Sequence, residues 1–172
     1  LGPNDEVNGD WAGYGQECLE RAYPEATALF IAGCGADANP HPRGTPVLAR
    51  QHGLALAGSI ARALNESMTP VHGPLRSAFT RVDLPFGPLP TKANFEAKLA
   101  DSNPSIVLFA KHYLQMIERG EALPTTYACP VQVLRFGNDL TLVALGGEVV
   151  ADYSYRLKQE LTGECVWTAG YC

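Results

Sequence analysis

The rhythm of apolar and polar positions changes several times along the chain, and each rhythm predicts an element. From Asp10 to about Arg21, the residues Trp11, Tyr14, Cys18 and Ala22 recur at helical spacing. Asp10 is placed to cap this helix, and Pro24 ends it. The run Thr27–Gly33, TALFIAG, is almost unbroken in apolar character, which predicts a central strand covered on both faces. A second helix is predicted from about Val47 to Asn65, with Leu56, Ile60 and Leu64 in line. Its small residues Ala55, Ala57, Gly58 and Ala61 would admit a neighbouring element closely. Ser77 to Leu84 alternates as a strand does, and the PFGPLP run after it excludes regular structure.

Two more helices are predicted, over about Thr91–Ala100 and Ser105–Arg119. Ile106, Phe109, Ala110, Tyr113 and Ile117 line one face of the second, and Gly120 stops it. Tyr127–Phe136 and Leu140–Leu145 read as a hairpin about the turn Gly137-Asn138-Asp139. A helix from Glu148 to about Leu161 is expected to face inward with Val150, Tyr153, Leu157 and Leu161, and Cys165–Ala169 begins a last strand. Leu1 to Gly9 reads as a loop. Helices alternating with strands and one hairpin imply an α/β fold: a layered mixed β-sheet flanked by helices. The chain opens on Leu1 and stops at Tyr171-Cys172 directly after a strand-like run. The expectation is therefore an incomplete domain, with residues 1–172 an internal part of one domain in a longer protein.

Composition narrows the function. The 172 residues are 46% apolar and 18% charged, which is globular rather than disordered. A formal charge of −5 with scattered Lys and Arg gives no basic stripe for a nucleic acid. No apolar run approaches the roughly 20 residues of a transmembrane segment. The five cysteines form no CxxC pair and, being odd in number, cannot all pair within the chain.

Chemistry concentrates in two places. After the apolar run, Cys34, Asp37, Asn39, His41 and Arg43 follow among glycines and prolines, a shaped polar loop. Such loops at the carboxyl ends of strands build the sites of open α/β sheets; the same residues also suit a well-packed turn whose Asp and Asn bond their own backbone. Glu148 stands past two glycines at a strand end. There it can ligate a metal as an ionised carboxylate, or serve only the dipole of the helix it opens. His52, His72 and His112 form no HxH or HExxH pattern, Ser59 lacks the GxSxG elbow, and Cys34 reads as a packed thiol.

Three pieces of the chain resemble the neutral/alkaline, non-lysosomal ceramidase family. ALFIAGCGADANP is similar to that family's strand and loop ending in GDVSPN. VQVLRFGNDLTLVALGGEVVADYSYRLKQ is similar to its hairpin, PGE-type turn and helix. The opening GDWAGYGQECLE and the closing VWTAGY resemble the flanking segments, so the likeness runs in order over most of the chain. The resemblance implies a zinc-dependent amidohydrolase that cleaves ceramide, or a related N-acyl lipid or amide, to sphingoid base and fatty acid. It further implies a protein secreted or periplasmic in its parent form. By motif position it makes Glu148 the zinc glutamate, the other ligands (two His and a Tyr) lying outside the chain, and it places Asp37, Asn39 and His41 at the catalytic loop. Asn39 stands at the position of the family's serine. It cannot be acylated as Ser can, yet it can donate a hydrogen bond to an oxyanion. The alternative is a non-catalytic relative that binds lipid or a partner.

Overall fold

The computed structural model describes residues 6–163 and 165–172. Of the loop predicted over 1–9, residues 1–5 lie outside the described residues. Among the described residues, five helices and four strands follow in the order α1 (Asp10–Ala22), α2 (Pro46–Ala63), β1 (Leu75–Pro85), α3 (Lys92–Lys98), α4 (Pro104–Glu118), β2 (Thr126–Phe136), β3 (Leu140–Leu145), α5 (Ala151–Glu160) and β4 (Val166–Ala169). The strands form an open mixed sheet in the order β1-β2-β3-β4. β2 and β3 pair antiparallel, with Val131 opposite Leu145 and Phe136 opposite Leu140. β3 and β4 pair parallel, from Thr141 beside Val166 to Ala144 beside Ala169. This is the expected α/β class with a sheet of mixed direction. The chain divides into two compact units, Leu1–Phe79 with Val131–Cys172, and Thr80–Pro130.

In the first unit α1 packs on α2. Thr45 caps α2 by accepting from the Leu48 amide, and Pro46 occupies its first turn, where the missing N–H costs nothing. The contact is made by small residues. A Cβ on Gly53 would stand 2.6 Å from the Trp11 carbonyl oxygen and 2.8 Å from the Gly15 amide nitrogen, so only glycine admits this approach. Ala49, Gly53 and Ala57 are the buried residues of α2, while Leu64 is 50% exposed. The close approach therefore runs through Gly53, one of the small residues the apolar line did not single out. On β3 the alternation buries Thr141 and Val143, and on β4 the Thr168 hydroxyl donates to Ser154 Oγ of α5 at 2.6 Å.

The second unit is built on α3 and α4. Thr91 and Asn94 form a reciprocal capping box on α3. Asn103 accepts from the Ser105 amide at the start of α4, with Pro104 in the first turn. Phe95, Ala110 and Leu114 are the buried core, and Phe95 stacks on Tyr113 with ring centroids 5.3 Å apart. β1 is exposed at every one of its eleven residues.

Three expectations are corrected. Thr27–Gly33 is not a strand but an irregular segment, with Leu29 85% exposed and Phe30 and Ile31 each 43% exposed. The reason lies in its hydrogen bonds. The Ala28 carbonyl accepts from Gln16 Nε2 at 2.7 Å, and the Ala28 amide donates to Glu20 Oε1 at 3.0 Å. Side chains of α1 thus take the backbone groups that a strand ladder would use, and the segment reaches the last strand's edge through the Gly170 amide, bonded to the Ala32 carbonyl. The helix expected to open at Glu148 begins at Ala151, after Val150 at its N-cap. Nor does its predicted face turn inward: Tyr153 is 51% exposed and α5 has no buried residue.

Candidate functional site

The irregular segment after residue 26 and the end of β3 meet through the backbone. The Ala36 amide donates to the Val149 carbonyl at 3.0 Å, and the Ala151 amide donates to Asp37 Oδ1 at 2.9 Å. Asp37 therefore supplies the cap that Val150, with no acceptor of its own, cannot give to α5. Its negative charge also lies at the positive end of the helix, the role the sequence allowed to Glu148. Glu148, three residues short of the helix, is left for other work.

The residue after β4 closes the same place from a third direction. The Gly170 amide bonds the Ala32 carbonyl, and the Tyr171 amide bonds the Gly147 carbonyl at 2.9 Å. A Cβ on Gly170 would stand 2.8 Å from the Gly33 oxygen, so this crossing requires glycine. Tyr171 holds φ +59°, a left-handed conformation that costs an ordinary residue about 1–2 kcal/mol. Tyr171 and Glu148 line the same cleft. Partial withdrawal from water raises the Tyr171 hydroxyl above its ordinary value, and the nearby charge of Glu148 raises it further.

These contacts frame a cleft of about 550 Å³. Glu148, Tyr171, Asn39 and Cys34 give it polar atoms, and Trp11, Phe30 and Pro40 give it an apolar side. Asn39 Oδ1 accepts from Arg43 Nη1 at 2.6 Å. Arginine can only donate, so the amide oxygen of Asn39 faces Arg43 and its NH₂ group stays available as a donor. A smaller cavity of about 110 Å³, lined by Asp10, Arg43 and His52, shares Trp11, Asn39 and Pro40 with the cleft. His52 Nε2 is 2.7 Å from the Pro42 carbonyl oxygen and so steadies the loop from α2.

Of the four residues singled out in the sequence, the structure brings Asn39 and Glu148 into one cleft. Asp37 is adjacent but engaged with α5, and His41 is exposed and outside the lining. The polar loop follows no strand, and the backbone bonds just described are what bring it to the end of β3. Trp11, Phe30 and Tyr171 were missed as site residues. Trp11 was legible only as part of a helix face, Phe30 only as part of a buried strand, and Tyr171 only as a terminal residue. The Gly-Tyr pair directly after a strand was the one signal available for Tyr171.

Among the described residues no group of three or more His, Cys, Asp or Glu is arranged to hold a metal ion. Catalytic zinc takes about three protein ligands. Glu148 offers one carboxylate, and Asp37 is committed to the Ala151 amide, so the residues present do not fit a self-contained zinc centre.

No protein-family model and no curated protein sequence matches the chain. Solved structures do. The chain superposes on neutral ceramidase from Pseudomonas aeruginosa with a TM-score of 0.56 and 20% identity, over 98% of its own length. A ceramidase complexed with C2 matches at a TM-score of 0.58 and 18% identity, again over 98% of the chain. The chain spans about a third of those proteins, 34% and 36% of their lengths. Its fold is that of the corresponding part of a neutral ceramidase.

Proposed function

We propose that this chain is an internal part of an amidohydrolase domain that cleaves the amide bond of ceramide or a related N-acyl lipid, releasing sphingoid base and fatty acid. The observation that carries the reading is one cleft lined by both Asn39 and Glu148, in a chain that follows the ceramidase fold over 98% of its length. Amide hydrolysis adds water across the C–N bond through a tetrahedral oxyanion, and that charge needs donors placed before it forms. Asn39, its oxygen turned to Arg43 and its NH₂ group free to donate, is suited to that task. Glu148, which lines the cleft beside Tyr171, is proposed as one ligand of a zinc ion whose remaining ligands lie outside the chain. Secretion or export to the periplasm belongs to the same proposal.

A second reading has one observation in its favour. Asn39 occupies the serine position of the family's loop, and Asp37 beside it serves α5, which together would suit a domain that binds lipid without cleaving it. The two readings separate in the whole protein carrying this segment. Release of sphingoid base from an N-acylsphingosine, with one equivalent of zinc by metal analysis, supports the enzyme. Binding of the same lipid with no release would contradict it.

A further inference from the structure

We propose that Arg43 is a positioning residue that fixes which end of the Asn39 amide faces the cleft. The inference rests on the amidohydrolase reading and deepens it, by naming what makes Asn39 a donor. Asn39 stands between two spaces, for it lines both the cleft and the smaller cavity of about 110 Å³. Arg43 lines the smaller cavity and is not in the described lining of the cleft. Its link to the cleft is the 2.6 Å bond from Nη1 to Asn39 Oδ1. The two ends of a side-chain amide act oppositely on an oxyanion: the NH₂ group donates to the developing charge, and the carbonyl oxygen repels it. The last torsion of an asparagine is broad and roughly two-fold, so without a fixed partner both ends visit the cleft. A guanidinium only donates, and Arg43 therefore keeps the oxygen on its own side and the NH₂ group on the other.

Arg43 is itself held from α2, on both sides. On one side, His52 of α2 places Nε2 2.7 Å from the Pro42 carbonyl oxygen. A carbonyl oxygen only accepts, so Nε2 carries the proton, and the bond exists whether the ring is neutral or charged. On the other side, Thr45 caps α2 through the Leu48 amide. Gly44, between Arg43 and that cap, has φ +109°, which glycine adopts without strain. The helix that carries both anchors crosses α1 so closely that Gly53 admits no Cβ. An arginine on a loose loop would follow Asn39 from one orientation to the other. This one is referenced to a packed helix pair, and the amide must conform to it.

The test is made in the whole protein carrying this segment, by steady-state release of sphingoid base from an N-acylsphingosine and by zinc content. Arg43→Met keeps the aliphatic stem and removes every donor. It is expected to lower kcat by about tenfold or more, because a small misplacement of a group at the reacting centre costs up to about a hundredfold. KM should change by less than about twofold and zinc content not at all, since the lost interaction is made only in the transition state. Arg43→Lys, which keeps a donor and the charge, is expected to recover part of the rate. Added to Asn39→Ala, Arg43→Met is expected to cost nothing further, because no amide is left to orient. A direct effect of the Arg43 charge on the oxyanion, or general damage to the loop, would persist in that background. A silent Arg43→Met, a loss shared by KM or zinc, or a loss that persists beside Asn39→Ala would overturn the positioning role and leave the amidohydrolase reading standing. No release of sphingoid base by the parent protein would overturn both.

Discussion

Asp37 Oδ1 accepts the Ala151 amide hydrogen at 2.9 Å, a bond between residues 114 positions apart that ties the polar loop to the start of α5. It completes a helix terminus whose own N-cap, Val150, has no side-chain acceptor. Asp37→Ala is expected to lower stability by about 1 kcal/mol, the size of a lost helix cap. Asp37→Asn keeps the acceptor oxygen and is expected to lose less. Denaturant unfolding of the three chains checks the order, and an unchanged midpoint for Asp37→Ala would remove the capping role.

The helix crossing gives a second test. A Cβ at Gly53 meets Trp11 and Gly15 backbone at 2.6 Å and 2.8 Å, which rigid helices cannot relieve by turning a side chain. Gly53→Ala is expected to destabilise by about 1–3 kcal/mol, as overpacking does. At Gly13, also in α1, a Cβ meets nothing within 4 Å. Gly13→Ala is expected to stabilise by up to about 1 kcal/mol through helix propensity alone. Thermal melting of both variants reads the opposite signs.

The hairpin turn carries a pH dependence. Asp139 Oδ2 accepts from the His72 amide at 2.8 Å and lies 2.9 Å from His72 Nδ1. The His72 side-chain bond, then its backbone bond, lowers the Asp139 carboxyl below its ordinary value. A lowered carboxyl stabilises the fold above its unfolded value, near pH 4, and that contribution is lost as pH falls through the folded value. Asp139→Asn should therefore melt below the parent chain at pH 6, with the gap closing as pH falls towards 2. A gap independent of pH would show that the carboxylate charge is not what matters there.

Asn39→Ala tests the oxyanion donor in the whole protein. Loss of one such donor costs about a hundredfold or more in turnover. Zinc content should be unchanged, because Asn39 is not proposed as a ligand. A silent Asn39→Ala would leave that position without a catalytic role.

The elements with a strong period were legible in the sequence to within a few residues: α2, α4 and the β2–β3 hairpin follow directly from spacing and turn chemistry. Thr27–Gly33 was not, because an apolar run reports hydrophobicity and not where its backbone bonds go. Gln16 and Glu20, two residues that look like solvated positions of α1, decided that. Of the cleft's lining, Asn39 and Glu148 stood out in the sequence by residue type among glycines and prolines. The places of Asp37 and Tyr171 were not legible, since each depends on a partner elsewhere in the chain, at Ala151 for the first and at Gly147 for the second. Trp11 and Phe30 were hidden for the opposite reason: aromatic residues in periodic runs read as core.

Glu148 is proposed to belong to a metal-dependent amide-hydrolysing site. The most direct measurement is zinc content together with sphingoid base release from an N-acylsphingosine, in the whole protein and in its Glu148→Gln variant. The expected result is one zinc and turnover in the parent, with most of both lost in Glu148→Gln, while the isolated 172-residue chain holds zinc weakly or not at all. Full zinc content and an unchanged rate in Glu148→Gln would contradict the account.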